Sequence, residues 1–143
     1  MTAVELEAYL HEQIPLSRSM GVRVELTHRG LELVAPLEPN HNHLGTAFGG
    51  SLAVVATLAG YAWLWRELDD AEAHLVIRKS QVDYRLPVGG ELRARCHAPD
   101  RMVLERFEAQ FRRAGKARIE LQVTMEDAGK VAVDFRGDFV AIR

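Results

Sequence analysis

Two adjacent glycines, Gly49 and Gly50, stand just ahead of an apolar run from Leu52 to Trp65, with only Ser51 between. If the run is a helix, its first turn leaves backbone N–H groups without partners, with the positive end of the helix dipole behind them. Glycine lets a ligand come close to that backbone. Such an end can polarise a carbonyl and hold the oxyanion formed on attack, and losing one donor of this kind costs roughly 100- to 1000-fold in rate. The plainer alternative for Gly49 and Gly50 is a tight, closely packed entry to the helix.

Other polar groups cluster around this point. Ser51 and Thr57 are hydroxyls on the run itself; they can take part in chemistry or simply satisfy a carbonyl one turn earlier. His41 and His43 form a His-x-His pair, but two ligands without a nearby Cys or acidic third do not make a zinc site. No metal or cofactor is expected. His43 stays a candidate to touch substrate or act as a base, against the reading of a loop histidine bonded to backbone. Asn42 can cap a turn, as Asn often does, or act on a ligand.

The elements that must position these residues follow from periodicity. Thr2 and Glu5 have the form of a capping box, and Leu6, Leu10 and Ile14 recur at helical spacing until Pro15. Val22, Val24 and Leu26 alternate with polar residues, His28-Arg29-Gly30 turns the chain, and Leu31, Leu33, Ala35 and Leu37 complete a hairpin. Pro36 to Ala47 reads as an ordered loop. The helix over roughly Ser51–Arg66 is apolar all round, which marks a buried, central element.

His74 to Leu86 is predicted as one long strand with Val76, Arg78, Ser80, Val82 and Tyr84 on its helix-facing side and Asp83 on the other. Arg78 and Ser80, as polar groups on that side, need partners. Leu92 to Ala98 alternates as a further strand, Arg101 to Ala114 fits a helix capped by Gly115, and strands from Ala117 to Met125 and from Val131 to Ile142 follow. The expected class is α+β: a curved antiparallel sheet of five to six strands wrapped around one long central apolar helix, in a single domain over residues 1–143.

Composition bounds the function. With 48% hydrophobic and 27% charged residues and a formal net charge of −2, the chain is an ordinary globular one without the basic surface that nucleic-acid binding requires. The lone cysteine, Cys96, cannot form an internal disulfide, and the first residues lack signal-peptide character. A cytoplasmic location is expected. The apolar run of fourteen residues from Leu52 to Trp65 falls short of the roughly twenty that a membrane span needs.

The stretch Asn42-His43-Leu44-Gly45-Thr46-Ala47-Phe48-Gly49-Gly50-Ser51 resembles the site loop of hotdog-fold thioesterases, where an Asn, a Gly and a His-Gly-Gly occur at this spacing. Nearly the whole chain is similar to the thioesterase domain at the C-terminus of YiiD-type acetyltransferases, which keeps Phe-Gly-Gly-Ser here and a later Tyr-x-x-Pro-Val, present as Tyr84-Arg85-Leu86-Pro87-Val88. The resemblance implies a hotdog fold, hydrolysis of an acyl thioester such as an acyl-CoA or acyl-carrier protein, and a homodimer or dimer of dimers. It implies Asn42, Gly49 and Gly50 for the chemistry, with Ser51 and Thr57 as the candidate hydroxyls on the helix beside them. It places His43, Gly45, Phe48, Arg78, Ser80 and Tyr84 around the substrate, with the last three on a strand that commonly pairs across the dimer.

Two positions depart from that pattern. Phe48 replaces the His before the glycines, and Thr57 replaces the acidic residue seven positions after the second glycine; no carboxylate occurs from Ser51 to Trp65. Either an acid from another element or subunit serves as base, or backbone polarisation and an oriented water suffice. A non-catalytic acyl-CoA-binding module and an enoyl-CoA hydratase or dehydratase are the rival expectations.

Overall fold

The computed structural model describes residues 1–143. The elements run α1 (Ala3–Gln13), α2 (Pro15–Ser19), β1 (Arg23–Thr27), β2 (Gly30–Ala35), a single 3-10 turn (Glu38–Asn40), α3 (Gly49–Leu68), β3 (His74–Tyr84), β4 (Leu92–His97), α4 (Arg101–Ala114), β5 (Lys116–Asp127) and β6 (Lys130–Ile142). The capping box forms as expected: Thr2 Oγ1 accepts from the Glu5 amide and the Glu5 carboxylate accepts from the Thr2 amide. Pro15 separates α1 from a short second helix that the sequence pattern does not reveal.

All six strands pair antiparallel in the order β1-β2-β4-β5-β6-β3. Alternation along β5 puts Ala117, Ile119, Leu121, Val123 and Met125 into the core, opposite Ala141, Phe139, Phe135 and Val133 of β6. The central helix α3 packs into the curve this face makes, contacting every strand from β2 to β6. Val55, Ala56, Ala62 and Leu64 on α3 are completely buried. Gly60 marks the closest approach of α3 to β6, since a Cβ there would collide with the Phe139 ring. The α4 helix is capped by Gly115 at φ 70°, and its Phe107 and Phe111 join the same core as α3. No helix is long and apolar enough to cross a membrane.

The expected face of β3 needs correction. Ile77 pairs with Phe139 and Lys79 with Asp138, so Arg78 is an extra, bulged residue. Ahead of the bulge the helix-facing residues are Leu75 and Ile77; after it they are Ser80, Val82 and Tyr84, opposite Gly137, Phe135 and Val133. Val76 and Arg78 therefore lie on the outer face, where Arg78 bonds Asp138 at 3.0 Å. A uniform period of two cannot anticipate an inserted residue. Asp83 is exposed on the outer face as expected.

Candidate active site

The loop before α3 is held by its own polar groups. The Asn42 side chain spends all its bonding on this loop: Nδ2 donates to Thr46 Oγ1 at 2.9 Å, and Oδ1 accepts from the Leu44 and Thr46 amides at 2.8 and 3.2 Å. Gly45 takes φ 79°, a conformation glycine adopts without strain, and its amide donates to the Asn42 carbonyl. His43 is exposed, and the His41 ring lies 2.9 Å from the Asn42 carbonyl. This arrangement makes Asn42 the organiser of the turn, with its amide already occupied.

A second asparagine, which the sequence reading passed over, anchors the loop to the body. Asn40 is 2% exposed; its Nδ2 donates to the Met20 and Pro36 carbonyls at 2.9 and 2.8 Å, and its carbonyl accepts from the Phe48 amide at 2.7 Å. Only its burial distinguishes it from Asn42, and burial has no signature in a polar loop sequence.

Phe48 is the N-cap of α3, extended at φ −66° and ψ 135°, and no side chain caps the helix. The first intrahelical bond runs from the Leu52 amide to the Phe48 carbonyl, so the amides of Gly49, Gly50 and Ser51 are the free donors of the first turn. Aromatic rings flank them on two sides. A Cβ on Gly50 would lie 2.5 Å from Phe48 Cε2, and one on Gly49 would lie 3.7 Å from Tyr84 Cε1. Both rings are more than half exposed, at 57% and 53%. The two sequence motifs thus meet in space: Tyr84 faces Gly49, and four residues on, the Val88 carbonyl accepts from the Ala47 amide at 2.8 Å.

Thr57 lies two turns further along α3, and its hydroxyl donates to the Ala53 carbonyl at 2.8 Å. It lines a cavity of about 560 Å³ between α3, α1 and β3, whose walls include Ala53, Val54, Leu58, Tyr61, Trp65, Tyr9, Ile14 and Ile77. Tyr61 in this wall is pushed up in pKa by burial, against the effect of a backbone hydrogen bond at Ile77. Arg78 lines a separate hollow of about 730 Å³ on the outer face with Val76, Lys116, Arg118 and Ile142, remote from the glycines. The structure therefore gathers Phe48, Gly49, Gly50, Ser51 and Tyr84 at one point, with Asn42, His43 and Gly45 in the adjoining loop. Ser80 follows on the same side of β3, and Arg78 is excluded.

The family model described as "Putative thioesterase (yiiD_Cterm)" matches residues 3–143. The chain belongs to this YiiD C-terminal family. Among solved structures, a protein of unknown function from Chlorobaculum tepidum TLS is 34% identical over 99% of this chain and 94% of its own, with a TM-score of 0.89. A protein from Shewanella oneidensis described as a "putative thioesterase" is 28% identical over 99% and 97% of the two chains, with a TM-score of 0.85. A Bacillus halodurans protein whose crystal structure was determined with CoA shares the fold at 18% identity, covering 99% of this chain and 89% of its own, with a TM-score of 0.69. The sheet-wrapped helix is the hotdog fold shared with these neighbours. For this YiiD C-terminal family member, the free amides of α3 are the feature that thioester chemistry can use.

Proposed function

We propose that this YiiD C-terminal family member hydrolyses an acyl-CoA thioester at the start of α3. The observation that carries the reading is the set of three uncapped amides at Gly49, Gly50 and Ser51, flanked by the Phe48 and Tyr84 rings, at the head of a helix whose next turns line a largely apolar cavity. The thioester carbonyl oxygen points at those amides, which hold the negative charge it acquires as water adds to the carbonyl carbon. Collapse breaks the C–S bond; the thiolate leaves and is protonated, and the fatty acid forms. Asn42 shapes the loop that frames this point, and Gly45 gives it room to turn. His43 is exposed in the same loop and is the side chain assigned to take a proton from water. Ser51 adds the third amide, Ser80 continues the wall beyond Tyr84, and the acyl chain follows the α3 wall past Thr57.

The working unit in this proposal is a homodimer, alone or paired into a tetramer, in the cytoplasm. The eleven-residue β3 pairs only with β6 and offers its other edge to a second copy. Light scattering that finds only a 16.0 kDa species would count against this assembly.

The test is thiol release from short, medium and long acyl-CoAs by wild type and by Gly49→Pro. Phe48 is already extended, which is what a following proline demands, and proline is well suited to the first helical position, so the variant should fold while losing one amide. A fall of about 100-fold or more supports the oxyanion role; unchanged turnover sinks it. The Thr57 hydroxyl, engaged with Ala53, and the absence of a carboxylate from Ser51 to Trp65 favour one second reading, an acyl-CoA-binding module. Tight binding with no thiol release would establish that instead.

A further inference from the structure

We infer that the Tyr84 hydroxyl is a fourth donor to the thioester oxygen, beside the three amides of α3, and that the bulge at Arg78 is what aims it there. The inference deepens the proposed function and rests on the carbonyl sitting at the Gly49 and Gly50 amides. Its first support is the build of β3. Leu75 and Ile77 face the central helix, and unbroken alternation would send Lys79, Gln81 and Asp83 after them, with Tyr84 outside. The extra residue reverses the sense of the strand, so Ser80, Val82 and Tyr84 turn inward, opposite Gly137, Phe135 and Val133. Arg78 itself is held outside by Asp138 at 3.0 Å.

The second support is which end of the side chain reaches the helix. The ring atoms nearest the Cβ position of Gly49 are Cε1 at 3.7 Å and Cζ at 3.8 Å, so the ring presents the end that carries the hydroxyl. The backbone behind it is fixed. The Arg85 and Leu86 amides both donate to the Ala132 carbonyl, at 2.7 and 3.1 Å, and the Arg85 guanidinium donates to Asp134 at 3.0 Å. Beyond them, the Val88 carbonyl accepts from the Ala47 amide, which ties this segment to the site loop.

The third support is that the hydroxyl is free. None of the side-chain hydrogen bonds of the loop, of β3 or of the residues after it uses the Tyr84 hydroxyl. By contrast, the Asn42 amide and the Thr57 hydroxyl are engaged elsewhere, at 2.9 and 2.8 Å. A phenol O–H donates one hydrogen bond. As water adds to the carbonyl carbon, that bond tightens on the growing oxyanion, since bonds to charged oxygen are the stronger ones. When the C–S bond breaks and the carbonyl re-forms, it relaxes, and Tyr84 has kept its proton throughout.

Tyr84→Phe removes the hydroxyl and keeps the ring, so the melting temperature should not change. With acyl-CoA as substrate, kcat should fall about 10- to 100-fold while KM rises only a few fold, because the donor acts most strongly on the oxyanion. Calorimetry adds a readout that needs no turnover. A ketone analogue with CH2 in place of the thioester sulfur keeps the carbonyl oxygen, and an alkyl-CoA thioether of equal length lacks it. The wild type should prefer the ketone, and Tyr84→Phe should lose about two- to fivefold of that preference while binding the thioether as before. An unchanged kcat overturns the donor role and leaves the hydrolase standing; an equal loss of affinity for both analogues overturns it as well. If the wild type hydrolyses no acyl-CoA, the hydrolase falls and the ketone preference alone decides: lost in Tyr84→Phe, it sustains the donor; retained there, or absent from the wild type, it overturns both.

Discussion

The ring of Phe48 lies so close over Gly50 that no side chain fits between them: a Cβ on Gly50 would sit 2.5 Å from Cε2 and 3.0 Å from Cδ2. The colliding atoms belong to an exposed, movable ring, so the helix can tolerate the substitution but the entrance cannot stay as it is. Gly50→Ala should leave the melting temperature almost unchanged while lowering kcat/KM for acyl-CoA by about 10- to 100-fold, because small misplacements at a reacting centre are amplified in rate. Adding Phe48→Ala should return part of the loss. A full rate in Gly50→Ala would show that the ring position is irrelevant.

Asn40 is the other polar residue on which the site depends. Removing its side chain strands the buried Met20 carbonyl and the half-buried Pro36 carbonyl and loosens the segment whose backbone receives the Phe48 amide. Asn40→Ala should cost about 1–3 kcal/mol in chemical denaturation. An unchanged midpoint would mean that water replaces the amide without penalty.

Gly60 should respond against its helix propensity. Alanine in a helix interior normally gains about 1 kcal/mol over glycine, yet here the added methyl drives into Phe139 across the α3–β6 contact. Gly60→Ala should destabilise by about 1–3 kcal/mol through overpacking, and Phe139→Leu in the same chain should recover some of it. A stabilised Gly60→Ala would show that the sheet gives way easily.

Stability should weaken on mild acidification, with His97 contributing. Burial first, then the Arg95 and Arg29 charges, hold its imidazole below the ordinary value of 6.5, and its Nε2 lies 2.6 Å from Thr124 Oγ1. The unfolded chain takes up this proton more readily than the folded one. Stability from His97 is therefore fully present above 6.5 and declines as pH falls through 6.5 toward the depressed folded value. Denaturation midpoints followed from about pH 8 to about pH 5 should fall less steeply in His97→Gln than in wild type; parallel curves would remove His97 from the account.

Much of the fold was legible because its elements obey simple periods. The strict alternation of β5, the capping box at Thr2 and Glu5, the Gly115 cap of α4 and the all-apolar character of α3 each follow from local physics, and each is found. The double glycine was legible as a helix entry for the same reason, though α3 begins at Gly49 rather than Ser51. The meeting of Tyr84 with Gly49 was foreshadowed only by motif resemblance, since 35 residues of chain separate them.

By itself, then, the sequence determined the class of the fold, the central helix and the place where its free amides emerge, because hydrophobic period, capping and glycine freedom act over a few residues. Tertiary structure alone decided which asparagine is buried, since Asn40 and Asn42 differ only in what folds over them. It also decided that Arg78 turns outward at a bulge, because an inserted residue is visible only against the strand it pairs with. It brought Tyr9 of α1 edge-on against Trp65 of α3, two rings far apart in the chain that line one cavity. Local rules act along the chain; these outcomes depend on what packing brings across it.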